Sequence, residues 1–305
     1  MADLFSDERF CRFLSEIDAS DAAKFQLSEI KDDHYDIYEF YGDVYCLVSK
    51  WEDNESISAL YLIEGEEKAI LIDTGMGGGD IPQLIFRLIG EKELIVVYTH
   101  EHFDHVAFAG YYENEYMMDV EESIERVNAG FTADELSISS VRTDNPYPLE
   151  GGRATATANI KPMEDGTVFE LGGRSLKAIH TPGHSPASTC YYDEKYGLLF
   201  VGDIFSHGHI FIHFDDDIFM KSDLDTFIKS LDKLMPYVQK SKYIFFPHLS
   251  VVDTAQQMVV LKDAVESIRA GKVQYKVIYN DYSQSDVRCY SIHGLEILVT
   301  LDSET

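Results

Sequence analysis

The sequence predicts an α/β fold of two β-rich halves, each accompanied by helices. Three observations carry that prediction. Short apolar runs rich in β-branched residues, over 69–72 and 94–98, read as buried strands. Apolar residues recur at helical spacing over 81–89, 224–238 and 254–270. Several strand-like runs end in a carboxylate or an imidazole: 69–72 in Asp73, 198–201 in Asp203, 243–246 in His248.

Residues 1–33 read as an N-terminal helical extension. Phe10, Phe13, Leu14 and Ile17 fall at helical spacing, and Ser20-Asp21-Ala22-Ala23 can open a second short helix. This extension is expected to pack on or cap the domain of 34–305, with a dimer arm or a pocket lid as the sharper alternative. From Tyr35 the period becomes strand-like. Residues 35–40 and 44–48 form a hairpin about Tyr41-Gly42-Asp43, and 58–63 and 69–72 flank the turn Glu64-Gly65-Glu66-Glu67. Gly75, Gly77, Gly78 and Gly79 make a loop that is not a phosphate-binding loop, because no Gly-Lys-Ser/Thr follows. A helix over 81–89 leads to the strand of 94–98.

Residues 121–128 read as helical, but 132–160 are polar throughout, and His105 and His184 stand 79 positions apart (184 − 105). Residues of about 113–166 are therefore expected to form an insertion beside the site, either a lid or binding loop or a surface excursion. Strands return over 167–171 and 175–180, and the turn Thr181-Pro182-Gly183 presents His184. Runs 188–192 and 198–201 are the next strands. A helix over 224–238, a strand over 243–246, a helix over 254–270 stopped by Gly271, and strands over 273–279, 286–292 and 295–301 close the chain. No fixed-period repeat or linker interrupts it.

The chain has 305 residues, of which 45% are apolar, enough for one large domain with a sizeable core. No stretch approaches the ~20 apolar residues of a membrane-spanning helix. The acidic start, Met1-Ala2-Asp3-Leu4-Phe5-Ser6-Asp7-Glu8, lacks a basic region followed by an apolar run, so a signal peptide is not expected. Cys11, Cys46, Cys190 and Cys289 are dispersed and read as thiols, which points to a cytoplasmic protein. The formal charge of −29 argues against nucleic acid or an anionic membrane as partner, since such binding needs fields of Lys and Arg.

The stretch with the densest chemistry is Thr99-His100-Glu101-His102-Phe103-Asp104-His105, between the strand of 94–98 and an apolar run that reads as a helix start. In extended chain His100, His102 and Asp104 would share one face and His105 would point away. A turn into helix at Asp104 removes that conflict. Two imidazoles can then serve one metal while Asp104 and His105 reach a second. Imidazole with carboxylate suits zinc, with iron or manganese as substitutes.

With these pieces in place the chain resembles the metallo-β-lactamase superfamily. Leu71-Ile72-Asp73-Thr74-Gly75 is similar to the family's first motif, and His100, His102, Asp104 and His105 match its His-x-His-x-Asp-His. His184 in Thr181-Pro182-Gly183-His184-Ser185, Asp203 in Phe200-Val201-Gly202-Asp203 and His248 in Phe246-Pro247-His248 match the third to fifth motifs, in family order. The resemblance implies a four-layer αββα sandwich with metals at one edge of its two sheets. It implies that His100, His102 and His184 hold a first metal, that Asp104, His105 and His248 hold a second, and that Asp203 bridges them. Asp104 and Asp203 are then the expected catalytic residues. Asp73 is expected behind the ligands, orienting a histidine or the loop, or simply ending its strand.

The activity implied is a dinuclear metallohydrolase in which a metal-bridging hydroxide attacks a small ester, thioester or lactone. The cofactors expected are two divalent ions, zinc first, and the partner a small molecule, with a homodimer as a further possibility. Lactonases of the family place Tyr three residues after the bridging Asp, where this chain has Ser206. The basic inserted arm of RNase Z-like nucleases has no counterpart in the sequence. Alternatives within the fold are a mononuclear or diiron oxidoreductase and a phosphodiesterase. His207, His209 and His213 follow Asp203 closely and are candidates for substrate contact or proton transfer; His34, His180 and His293 read as structural.

Overall fold

The computed structural model describes residues 25–40, 43–50, 58–77, 79–131, 158–216 and 220–301. The helices expected around Phe10 to Ile17 and over 20–23 lie outside these residues. From Phe25 onward the first element is a strand, not a helix. Strand β1 (Gln26–Leu27) pairs antiparallel with β2 (Tyr35–Phe40), and the buried Phe25 ring packs edge-on against Phe40 at 4.8 Å. The sheet therefore begins before Tyr35, where strand periodicity first becomes visible.

The first sheet continues through β3 (Val44–Ser49), β4 (Ala59–Glu64), β5 (Lys68–Ile72), β6 (Glu93–Val97), β7 (Glu115–Met118) and β8 (Lys161–Met163), its eight strands adjacent in chain order. Pairing is antiparallel up to β5 and parallel from β5 to β8. The parallel part requires crossovers, which helices α1 (Ile81–Ile89), α2 (Phe103–Val106) and α3 (Glu121–Ala129) supply. Ala69 to Ile72 are buried on both faces of β5, as a strand covered on both sides must be.

Strands β7 and β8 fall within 113–166, the stretch expected as an insertion. Its two ends complete the sheet, and residues 132–157 lie outside the described ones. The Lys-Pro-Met run of β8 is too short to show a period, and Pro162 is tolerated because β8 is the edge.

The second sheet is formed by β9 (Val168–Glu170), β10 (Ser175–His180), β11 (Thr189–Asp193), β12 (Leu198–Phe200), β16 (Tyr243–Phe245) and β17 (Val252–Thr254). Their order is β17-β16-β12-β11-β10-β9. Between β12 and β16 run β13 (His209–Phe211), the short pair β14 (Asp215–Asp216) and β15 (Met220–Lys221), and helix α4 (Leu224–Val238). Helix α5 (Gln256–Arg269) follows β17, and β18 (Tyr275–Asn280), β19 (Ser285–Ile292) and β20 (Leu295–Thr300) join β13 in a small third sheet.

Alternation along the second sheet divides the core. Tyr191, Phe200 and Phe245 face the first sheet, where Phe200 and Phe245 stack at 4.8 Å beneath Tyr61. Tyr192, Leu199 and Ile244 face the other way, onto Phe227, Leu231 and Leu234 of α4 and Leu261, Ala264 and Val265 of α5. This is an αββα sandwich, and its strand ends at one edge carry the residues of the site.

Candidate metal centre

Strand β5 ends at Asp73, whose backbone is left-handed (φ 62°). That turn aims the carboxylate across to the next strand end. It accepts hydrogen bonds from the Thr99 N–H and hydroxyl, both at 2.7 Å, and lies 2.8 Å from Nδ1 of His105. Helix α2 begins at Phe103, so the chain turns where the alternation argument required it, and His105 comes back to the side of His100 and His102. Asp73 thus orients both a histidine and the loop.

Two groups of side chains converge. In the first, Nε2 of His100 lies 3.0 Å and Nε2 of His184 3.2 Å from Nδ1 of His102. All three histidines are buried. His184 uses Nδ1 on the carbonyl of Phe211 at 3.0 Å, and Nδ1 of His100 faces the Thr99 hydroxyl at 3.0 Å. The nitrogens left over point at one another. Ligands on a tetrahedral zinc with Zn–N of ~2.0–2.1 Å stand about 3.3 Å apart, close to the spacing seen. Burial, then the neighbouring imidazoles, holds His100 well below the ordinary histidine range. Burial and His184 push His102 down to about 3, and burial lowers His184 despite the opposing pull of Asp203. Three neutral imidazoles with converging lone pairs form a site for a cation.

In the second group, ligand atoms of Asp104, His105, Asp203 and His248 all lie within 4.8 Å of one another. Nε2 of His248 is 3.4 Å from both Asp104 and Asp203, and Nε2 of His105 is 3.3 Å from Oδ1 of Asp203. Burial opposes charge on both histidines, but Asp203 and Asp104 outweigh it, raising His248 to about 10 and His105 well above the usual range. Burial likewise opposes ionisation of Asp104, yet His105 and His248 bring it down to about 2. His105 Nε2 and Asp203 Oδ1 are buried and have no hydrogen-bond partner among the described residues. Buried polar atoms that face each other without a hydrogen bond are what a bound ion would satisfy. Asp203 also comes within 3.7 Å of His184 and 4.0 Å of His100, so it borders both groups.

All seven ligand-type residues singled out in the sequence are therefore brought together. Their supporting partners were not foreseen. Glu101 points away from the cluster, as alternation between His100 and His102 dictates, and accepts a 2.9 Å hydrogen bond from the hydroxyl of Ser185, next to His184. Burial pushes its carboxyl up to about 7. Alternation could have revealed its direction; nothing local points to Ser185.

The other histidines separate by role. His207 Nε2 lies 2.7 Å from Asp253, and His209 belongs to β13, 3.1 Å from Glu296 on the surface. His213 accepts from the Leu224 N–H at the start of α4 through Nδ1. His180 contacts the Pro186 carbonyl at 2.9 Å, His293 contacts Asp263 at 2.9 Å, and His34 lies near Asp32.

Human acyl-coenzyme A thioesterase MBLAC2 is 29% identical over 184 residues, 55% of this chain and 66% of that protein, so the match spans slightly under two thirds of the relative. The chicken protein of the same name is 24% identical over 208 residues, 65% of this chain and 73% of that one. A metallo-beta-lactamase family protein from Thermus thermophilus superposes with a TM-score of 0.52 at 19% identity, covering 75% of this chain and 79% of the other. Residues 54–265, most of the chain, match the family described as the metallo-beta-lactamase superfamily, and to that superfamily the chain belongs.

Proposed function

We propose that the chain is a dinuclear metal-dependent hydrolase of small thioesters, with acyl-coenzyme A compounds as the substrate class. The observation that carries this reading is the pair of converging ligand groups, with Asp203 in one and bordering the other. His100, His102 and His184 would hold one divalent ion, Asp104, His105 and His248 the other, with Asp203 between them and zinc the first choice of metal. Two such ions, when bound, bring the pKa of water toward ~7 and polarise a carbonyl oxygen. The chain's own part is to fix the ligands. Asp73 and Thr99 hold His105 and His100, the Phe211 carbonyl holds His184, and Glu101 ties Ser185 to the same wall. The thioesterase relatives favour thioesters over lactones, and Ser206 stands where the lactonases carry Tyr.

Elemental analysis of protein made in metal-replete medium should approach two equivalents per chain. The loaded protein should turn over acyl-coenzyme A in a panel that also holds lactones, phosphodiesters and β-lactams. One equivalent with full activity would remove the dinuclear reading. Turnover confined to another ester class would remove the thioester one.

A further inference from the structure

We propose that His207 and Asp253 form a positioning pair that locks the loop of His248 to the loop of Asp203, and so sets the affinity of the second metal group. The inference rests on the metal-centre reading above.

The two groups are supported differently. His100 and His184 have side chains only 1% and 2% exposed. His248 is 22% exposed and sits in the short link from Phe246 to Val251 that joins β16 to β17. The link closes through the Phe246 N–H to the Val251 carbonyl at 3.3 Å, and the Tyr61 hydroxyl lies 2.6 and 2.5 Å from the Phe246 and Val251 carbonyls. Leu249, next to His248, has φ 65°, a conformation a branched side chain adopts only under outside constraint.

That constraint comes from the segment after Asp203. His207 reaches Asp253, in β17 just beyond the His248 link, at 2.7 Å, and Asp253 is 3% exposed. The other Asp253 oxygen accepts the Thr254 N–H at 2.5 Å, which fixes the carboxylate. The His207 ring lies edge-on between Phe205 at 5.2 Å and Phe246 at 5.5 Å. Gly208 lies so close to Leu249 that a Cβ there would stand 2.5 Å from Leu249 Cδ1. Hydrogen bond, ring contacts and close approach join the same two segments, one carrying Asp203 and the other His248. The first group is held by other means, His100 by Thr99 and His184 by the Phe211 carbonyl.

The test is a zinc titration of metal-free protein against a chromophoric chelator, with thermal unfolding of the metal-free form as control. In His207→Leu the first equivalent should bind as in the wild type and the second about tenfold or more weaker, within the range seen for outer partners of metal ligands. His207→Gln, whose amide can donate to Asp253, should recover most of that loss. Unchanged affinity for the second equivalent in His207→Leu would overturn the proposal. So would equal weakening of both equivalents in both variants with a lowered unfolding temperature, which would mean general stabilisation. If wild-type protein binds no zinc, the metal-centre reading fails first and this proposal with it, a result seen before any variant is made.

Discussion

Asp73 shows how much one side chain can set when its backbone is turned. From φ 62° it meets Thr99 twice and His105 once. Asparagine tolerates that conformation, so Asp73→Asn should fold, but its amide cannot accept at all three places. Zinc affinity should fall about 10- to 100-fold, read by chelator competition; unchanged affinity would reduce Asp73 to a strand-end turn. Asp203→Ala should abolish turnover while leaving the far-UV circular dichroism intact, because Asp203 borders both groups and reaction rate depends steeply on their geometry. Near-wild-type turnover would mean the centre is wrongly assigned. The seven ligand-type residues were legible because few other demands place His and Asp at strand ends in that spacing. Their partners were not. Ser185 is 84 positions from Glu101 and Asp253 is 46 from His207, and any serine or aspartate could have filled those places.

At the scale of elements, the longer helices were readable and the shortest elements were not: α2 covers only Phe103–Val106, and the apolar run after it, which reads as a helix start, is turn. Helix α1 has the bounds the spacing gave, with Asp80 capping the Gln83 N–H at 3.0 Å and Pro82 in the first turn. Helix α4 likewise starts where Asp223 caps Thr226 at 2.6 Å. Strands β13 and β17 have three residues each, too few to show a period of two, so 206–213 gave no strand signal and its histidines read as candidates for substrate contact or proton transfer. Turns between elements are where single atoms matter. Gly183, at φ 143°, lies so close to α4 that a Cβ would stand 2.5 Å from the Phe227 Cα. Backbone cannot step aside as a flexible side chain can. Gly183→Ala should therefore lower the unfolding temperature and weaken zinc binding by displacing His184; wild-type values for both would show that the turn has slack.

For the molecule as a whole, charge bears on both stability and partners. Glu115 in β7 is buried, accepts from the Tyr98 hydroxyl at 2.8 Å and the Gly110 N–H at 2.9 Å, and is pushed by burial from its ordinary 4.5 up to about 7. Between those values the folded chain keeps a proton that the unfolded chain has released, so this group's contribution falls as pH rises through that window. Unfolding free energies at pH 5 and pH 8 should shift in favour of Glu115→Gln relative to wild type as pH rises, and a gap independent of pH would contradict the shift. The architecture was legible because burial on both faces of β5 and β6 leaves short unbroken apolar runs; the extent of the first sheet was not, because β7 and β8 lie in a polar region. The formal charge of −29 bears on partners. Several cations are already engaged on the surface: Lys68 with Glu93, Lys233 with Asp165, Lys262 with Asp232, Arg87 with Asp32 and Arg269 with Asp225. Each phosphate contact to a nucleic acid needs a Lys or Arg that releases counterions, and these groups would first have to leave a carboxylate. Structured RNA and single-stranded DNA should therefore show no appreciable binding at physiological salt. Hydrolysis of a chromogenic phosphodiester would not bear on this, since a small diester needs no basic surface. Micromolar binding that weakens steeply as salt is raised would reveal such a surface and move a nuclease ahead of the thioesterase.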